Sequence, residues 1–221
     1  MWRFSLESLA KNVNIIDMNK SDVTQIRDSI ILAALPNVEF DGWAWDMIKQ
    51  ATVDSGYEGS MTRAVFPDRI KDVLDGFADL ADREMLKALA DKNPDDLRVR
   101  DRVRDALIAR YEWLTPHKEA LRQSVQFWVI PTHKPRGAKI VWRTADRIWD
   151  WAGDTATDYN RYTKRGLLSG VIASTTMAFL NDTSKNPENP ENMDKTKAFL
   201  DRRIENVMQF GKIINRLKKV S

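Results

Sequence analysis

Between Arg165 and Asp182 this chain runs sixteen residues without a charged side chain. In a protein where 30% of residues are charged, such a stretch must be shielded from water over much of its length. It is too short to cross a bilayer, which takes roughly 20 predominantly apolar residues in a helix. The segment must therefore pack inside a fold. Leu167, Leu168, Val171 and Ile172 form a double apolar stripe at helical spacing, and Gly166, Gly170, Ala173 and Ser174 lay a stripe of small residues beside it. Small side chains leave space that either a neighbouring helix or a slender apolar ligand fills. Both readings stay open from the sequence: a core or dimer-interface helix, or one wall of a pocket.

The rest of the chain is helical by the same test. Ser21 and Asp22 can cap a helix through Val23, Ile26 and Ile30 that ends before Pro36. Asp41 offers a cap for a short helix to Ala51, the turn around Gly56 breaks it, and another runs from about Gly59 to Phe66. Longer helices follow: Pro67 to about Asp91, one through Val103, Leu107 and Leu114, Pro116 to Ile130, Ala138 to Ala152, one to about Leu180, and one from Met193 to the end. With only nine glycines and eight prolines, a many-turned β-sandwich is disfavoured. The expected fold is all-α, a helix-turn-helix-like unit in residues 1–66 and a larger helical body in 67–221.

Catalytic signatures are missing. Cysteine is absent, which excludes disulfides and thiolate metal sites. The two histidines, His117 and His133, stand in no metal-binding spacing with carboxylates or each other. No glycine-rich phosphate loop occurs, and GLLSG at 166–170 lacks the spacing of a nucleophile elbow. The expectation is a protein without catalytic residues, metal or cofactor. The amino terminus, MWRFSLESLAKN, contains Glu7 and no apolar run, so neither a signal nor a transit peptide is expected.

Two aromatic and basic features suggest surfaces. Trp142 and Trp149 lie seven residues apart on one helical face, while Trp151 points almost opposite Trp149; the helix is either sandwiched between layers or exposes an indole for binding. At the carboxyl end, Val207, Phe210, Ile214 and Leu217 align, with Lys212, Arg216, Lys218 and Lys219 around them. That is a terminal helix packed on the domain, or one that meets an anionic membrane.

Charge bears on the amino-terminal unit. A helix-turn-helix followed by long helices invites comparison with TetR-type transcription regulators, which read DNA and bind an apolar effector. Yet residues 22–66 hold three basic residues, Arg27, Lys49 and Arg63, against seven acidic ones. A duplex would be repelled.

The segments DGWAWDMIKQA (41–51), RIWDWAGDTATDYNRYTKRGLLSGVIASTTMAFL (147–180) and FLDRRIENVM (199–208) resemble the TetR-like lipid-binding accessory protein of ubiquinone (coenzyme Q) biosynthesis. The stretch at 152–165 is the most specific. The resemblance implies a homodimer without DNA binding that takes up isoprenoid quinone intermediates and supports the di-iron demethoxyubiquinone hydroxylase. It also implies a cytoplasmic bacterial protein peripheral to the inner membrane. The expected lipid pocket uses Trp142, Ile148, Trp149, Leu168, Val171, Ile172 and Met177, with Gly170 and Ser174 giving clearance. The expected partner-facing surface comprises Trp151, Asp154, Thr157, Asp158, Tyr159, Arg161, Tyr162 and Arg165; eukaryotic relatives place Trp at the Arg161 position. A transcription regulator with an apolar effector is the alternative.

Overall fold

The structure, a computed structural model, describes residues 20–155, 157, 159–183 and 193–220. Among them every regular element is helical: α1 (Lys20–Ala34), α2 (Val38–Asp41), α3 (Trp45–Asp54), α4 (Met61–Val65), α5 (Ile70–Ala88), α6 (Val99–Leu114), α7 (Lys118–Trp128), α8 (Lys134–Trp151), α9 (Tyr159–Asn181) and α10 (Asp194–Val220). The all-α expectation holds. Three details differ. Asp41 ends α2 instead of capping α3, because Gly42 turns the chain in a positive-φ conformation and Ala44 becomes the N-cap. Pro135 supplies a favourable first turn, so α8 begins at Lys134, ahead of the expected Ala138. Residues 154–163 read in the sequence as a cap and turn, whereas α9 already begins at Tyr159.

The chain divides into two compact units, one up to Phe77 and one from Ala78 onward. In the first, α1 packs on α3, and Ile30, Ile31, Val38, Ile48 and Phe66 are buried. Its polar interior is satisfied. The hydroxyl of Thr62 donates to that of Thr52 (2.8 Å), which in turn donates to the Ile48 carbonyl. Arg27 donates from Nε to the Val65 carbonyl at the end of α4 (2.6 Å) and lies over the Phe66 ring. Gly76 lets α5 approach closely, since a Cβ there would meet Ile31 at 2.9 Å.

In the second unit α9 packs along α8 and α10. Its last carbonyls are capped from α7: Lys118 Nζ donates to Asp182 O (2.5 Å) and Arg122 donates to Leu180 O (2.7 Å). Cations at that end also suit the helix dipole. Asp182 then accepts from the backbone and hydroxyl of Thr196, fixing the first turn of α10. Tyr111 of α6 is fully buried, with its hydroxyl on Thr176 Oγ1 (3.0 Å) and the Ile172 carbonyl. Burial raises its pKa above the ordinary phenol value.

A second polar cluster ties α5 to α6 and α8. Asp82, fully buried, accepts from Arg110 Nε (2.9 Å), from Thr144 Oγ1 (3.0 Å) and from Arg147 (3.4 Å). One turn earlier Asp79 accepts from Arg147 (2.6 Å) and Arg83 (2.9 Å). Burial alone would raise the Asp79 pKa; the hydrogen bonds from Arg147 and Arg83 and the charges of Arg147 and Arg143 outweigh it and leave the pKa lowered. A depressed carboxylate contributes stability that is complete above the unfolded value of about 3.9 and disappears as pH falls through the folded value. Asp79→Asn should therefore lower the urea midpoint at neutral pH and flatten the loss of stability below about pH 4. An acid limb identical to that of the parent protein would show that Asp79 has no such linkage.

Candidate functional site

Sequence dictates a tight turn between α7 and α8, and that turn shapes an apolar cavity. Phe127 stacks on His133 (4.1 Å between centroids, 18° between planes), and His133 Nδ1 lies 3.1 Å from the Phe127 carbonyl. Gly137 then allows α8 to cross Trp128 closely, a Cβ there meeting Trp128 Cβ at 3.0 Å. The indole is thereby set as a wall. The cavity it borders has a volume of about 510 Å³. That is within the ~300–1,000 Å³ range of small-molecule sites.

Leu121, Val125 and Trp128 of α7 form one side, Gly137, Ile140, Val141 and Thr144 of α8 another, and Ile172, Ala173, Thr176 and Met177 of α9 a third. These positions recur at three- and four-residue spacing, so one stripe of each helix faces inward. The lining is chiefly apolar, with a few polar groups. Arg110 lines it too, held by Asp82, which neutralises its charge at the wall. The indole Nε1 of Trp128 is buried without a hydrogen-bond partner, a donor available to a carbonyl or hydroxyl on a guest. Among the described residues, no cluster of three His, Asp or Glu side chains could hold a metal ion. His117 packs on Trp113 (4.9 Å), and burial lowers its pKa.

The residues expected to form one lipid pocket are dispersed. Ile172 and Met177 line the cavity just described. Gly170, Val171 and Ser174 instead line a shallow groove of about 500 Å³ along α9 and α10, with Leu167, Arg203, Asn206 and Val207. A Cβ on Gly170 or Gly166 would meet nothing within 4 Å, so this small-residue face is open. Ile148 and Leu168 are buried core residues outside both sets. Trp142 approaches Tyr162 (6.4 Å) and Trp149 carries Lys164 Nζ over its ring (5.4 Å); neither indole lines the cavity. Sequence reasoning missed α7. Its inward stripe, Leu121, Val125 and Trp128, was visible as a periodicity, as was the Gly137, Ile140 or Val141, Thr144 series on α8.

The expected partner-facing residues also separate. Tyr162 and Thr157 are exposed, while Arg161 and Trp151 are half-buried. Asp158 and the side chain of Tyr159 lie outside the described residues. Arg165 and Asp154, expected at the surface, are inside. Arg165 is fully buried and pairs with Asp146, with Asp154 (3.0 Å) and with Asp150 (3.2 Å). Asp154 also takes Lys164 (2.6 Å), and Asp146 takes Arg161 (3.1 Å). Burial would lower the Arg165 pKa; hydrogen bonds to Asp146 and Asp154, with their charges, raise it overall. The three carboxylates follow one face of α8 at four-residue spacing and its C-terminal turn, so this cluster fastens α8 to α9.

Comparison with known proteins gives these features a setting. Residues 134–211, which span α8, α9 and much of α10, match the COQ9 family model. The chain is similar to the mitochondrial ubiquinone biosynthesis protein COQ9 of Rattus norvegicus, 26% identical over 88% of this chain and 62% of the relative. It is also similar to COQ9 of Homo sapiens, 24% identical over 88% of this chain and 61% of the relative. It thus spans about three fifths of the length of these curated relatives. A TetR transcriptional regulator from Nitrosomonas europaea has a similar structure, with a TM-score of 0.62 at 18% identity, covering 82% of this chain and 97% of that one. The fold is TetR-like.

The buried Arg165 cluster separates a structural role from a contact role. Arg165→Met should cost about 3–5 kcal/mol in urea unfolding, the usual cost of breaking a buried ion pair. Tyr162→Ala, at an exposed position, should stay within about 0.5 kcal/mol. Equal, small effects for both would place Arg165 on the surface after all.

Proposed function

We propose that this COQ9-related chain is a non-catalytic accessory protein of ubiquinone biosynthesis that shelters an isoprenoid quinone intermediate and presents it to the demethoxyubiquinone hydroxylase. The observation that carries the reading is the cavity of about 510 Å³ beneath α7, α8 and α9, apolar on most sides and provided with a few polar groups. A polyprenyl tail is nearly insoluble in water, and its transfer into such a cavity is favoured in proportion to the apolar surface removed from solvent. Trp128 Nε1 offers a quinone carbonyl one hydrogen bond that the protein itself leaves unmade. The family match covers α8 and α9, two of the three helices that wall the cavity.

Two further surfaces complete the proposal. The groove lined by Gly170, Val171 and Ser174 is the homodimer contact, since small residues allow a second helix to approach closely. Tyr162, Thr157, Arg161 and Trp151 face the hydroxylase, while Arg165 and Asp154 hold that surface in place from within.

The likeness to a transcriptional regulator speaks for the fold and not for DNA binding. In the helix-turn-helix-like unit Arg27 is engaged by the Val65 carbonyl and Lys49 by Asp46 (2.8 Å). A duplex offered at low salt, where even weak phosphate binders are retained, should not be shifted. Retention there would favour the regulator.

Mass spectrometry of organic extracts tests the carrier. The purified protein should release prenylated lipid. Ala173→Trp, which projects from α9 at the cavity, should reduce that content on the order of ten-fold, whereas Gly170→Trp, in the groove between α9 and α10, should preserve it. Empty extracts from the parent protein, or unchanged content in Ala173→Trp, would overturn this assignment.

A further inference from the structure

We propose that the cavity between α7, α8 and α9 is also a binding site for a long-chain carboxylate, with Arg110 holding its head group at the buried end. The proposal rests on the carrier reading above in one respect, that this cavity takes an apolar guest.

Arg110 is out of character with its surroundings. Val103, Leu107 and Leu114 recur along α6 at helical spacing and are buried, and Arg110 stands in phase with them at 6% exposure. Packing alone asks for an aliphatic residue here, because a buried guanidinium is costly to desolvate. Its Nε donates to Asp82 (2.9 Å), and the side chain makes no other hydrogen bond among the described residues. A guanidinium has five N–H donors, so both terminal nitrogens are unspent in a residue that borders the cavity.

Charge balance points the same way. Asp82 cancels the charge of Arg110, but Arg147 (3.4 Å) and Arg143 (3.9 Å) share that carboxylate. Asp79 in turn serves Arg147 (2.6 Å) and Arg83 (2.9 Å). Two carboxylates thus face four guanidinium groups, and the cavity lining adds no Asp or Glu to them. It adds donors instead: the partnerless Trp128 Nε1 and the hydroxyl of Ser124. A carboxylate only accepts, carries the missing charge, and fits a guanidinium through two parallel hydrogen bonds.

The remaining walls define the tail. Leu121, Val125, Val141 and Ile172 are aliphatic, and the exposed Val129 and Met177 mark where the cavity opens. A site that is polar at its buried end and apolar toward its mouth suits an amphiphile that enters head first. An ester with the same tail gains the apolar contribution and forgoes the ion pair. Because acid and isoprenoid would fill the same space, each excludes the other.

Equilibrium dialysis of the lipid-stripped full chain against labelled oleate and methyl oleate tests this. At about pH 8, where the acid is ionised, oleate should bind on the order of ten-fold tighter than its ester. Ala173→Trp should weaken oleate binding by the same order, which places the acid in the cavity and not on the basic surface. Arg110→Met strands Asp82, so it is combined with Asp82→Asn; the pair should still bind methyl oleate and lose the preference for the acid. Arg110→Lys keeps a cation beside Asp82 without the planar fork, serves where the pair does not fold, and should reduce the preference several-fold. Equal affinity for acid and ester in the parent protein overturns the proposal. So does oleate binding indifferent to Ala173→Trp, or a preference that survives the changes at Arg110. The two proposals fail separately: prenylated lipid in the extracts without a preference for acid over ester refutes only the carboxylate site, and that preference in a chain whose extracts hold no prenylated lipid refutes only carriage.

Discussion

Burial of Arg165 against three aspartates is the constraint from which the larger unit follows. A guanidinium removed from water is tolerable only where carboxylates meet it in good geometry. Here Asp146 and Asp150 come from α8 and Asp154 from its C-terminal turn, so satisfying one side chain of α9 fixes the register of the two helices. Because α8 is rigid over its eighteen residues, its other end is positioned too. That end carries Gly137, Ile140 and Thr144 to the cavity. At the opposite end of α9, Lys118 and Arg122 hold the final carbonyls, so α7 also has its place relative to α9. The cavity is what three helices enclose when ion pairs and caps fix their ends and the Trp128 indole, at the end of α7, forms one wall.

Much of this was legible from the residues. Apolar recurrence every three or four positions placed the helices, since that spacing follows from helical geometry alone. The uncharged stretch of α9 lines a cavity on one stripe and a groove on another. What it could not tell was which neighbour faces which stripe. Gly170 and Ser174 sit on one side of α9 and Ala173 and Thr176 on another, a rotation of only about 100° per residue apart. Both stripes are small, and a periodicity carries no record of what lies opposite. The two tryptophans of α8 drew attention for their size, yet the wall is formed by Trp128 of α7, positioned by a glycine that sequence reasoning left in a loop.

Arg165 illustrates a different gap. The resemblance placed it on a partner surface, where a charged residue beside a polar turn is ordinarily solvent-facing. The contrary signal was present: Asp146, Asp150 and Asp154 at four-residue intervals line one face, too many negative charges in one strip to stand unopposed. Clustered like charges along a helix call for a counter-charge nearby, and Arg165, Lys164 and Arg161 on the next helix supply it.

A TetR-like fold joins a helix-turn-helix to a ligand-holding body, and function resides in the sites such a scaffold carries. In the amino-terminal unit Arg27 turns inward to the Val65 carbonyl and Lys49 leans on Asp46, which leaves acidic residues to dominate the surface. The positive excess lies in the other half, where residues beyond 100 hold 22 basic against 14 acidic side chains. Electrostatic attraction of anionic partners is set by where charge lies, not by the net value of +3.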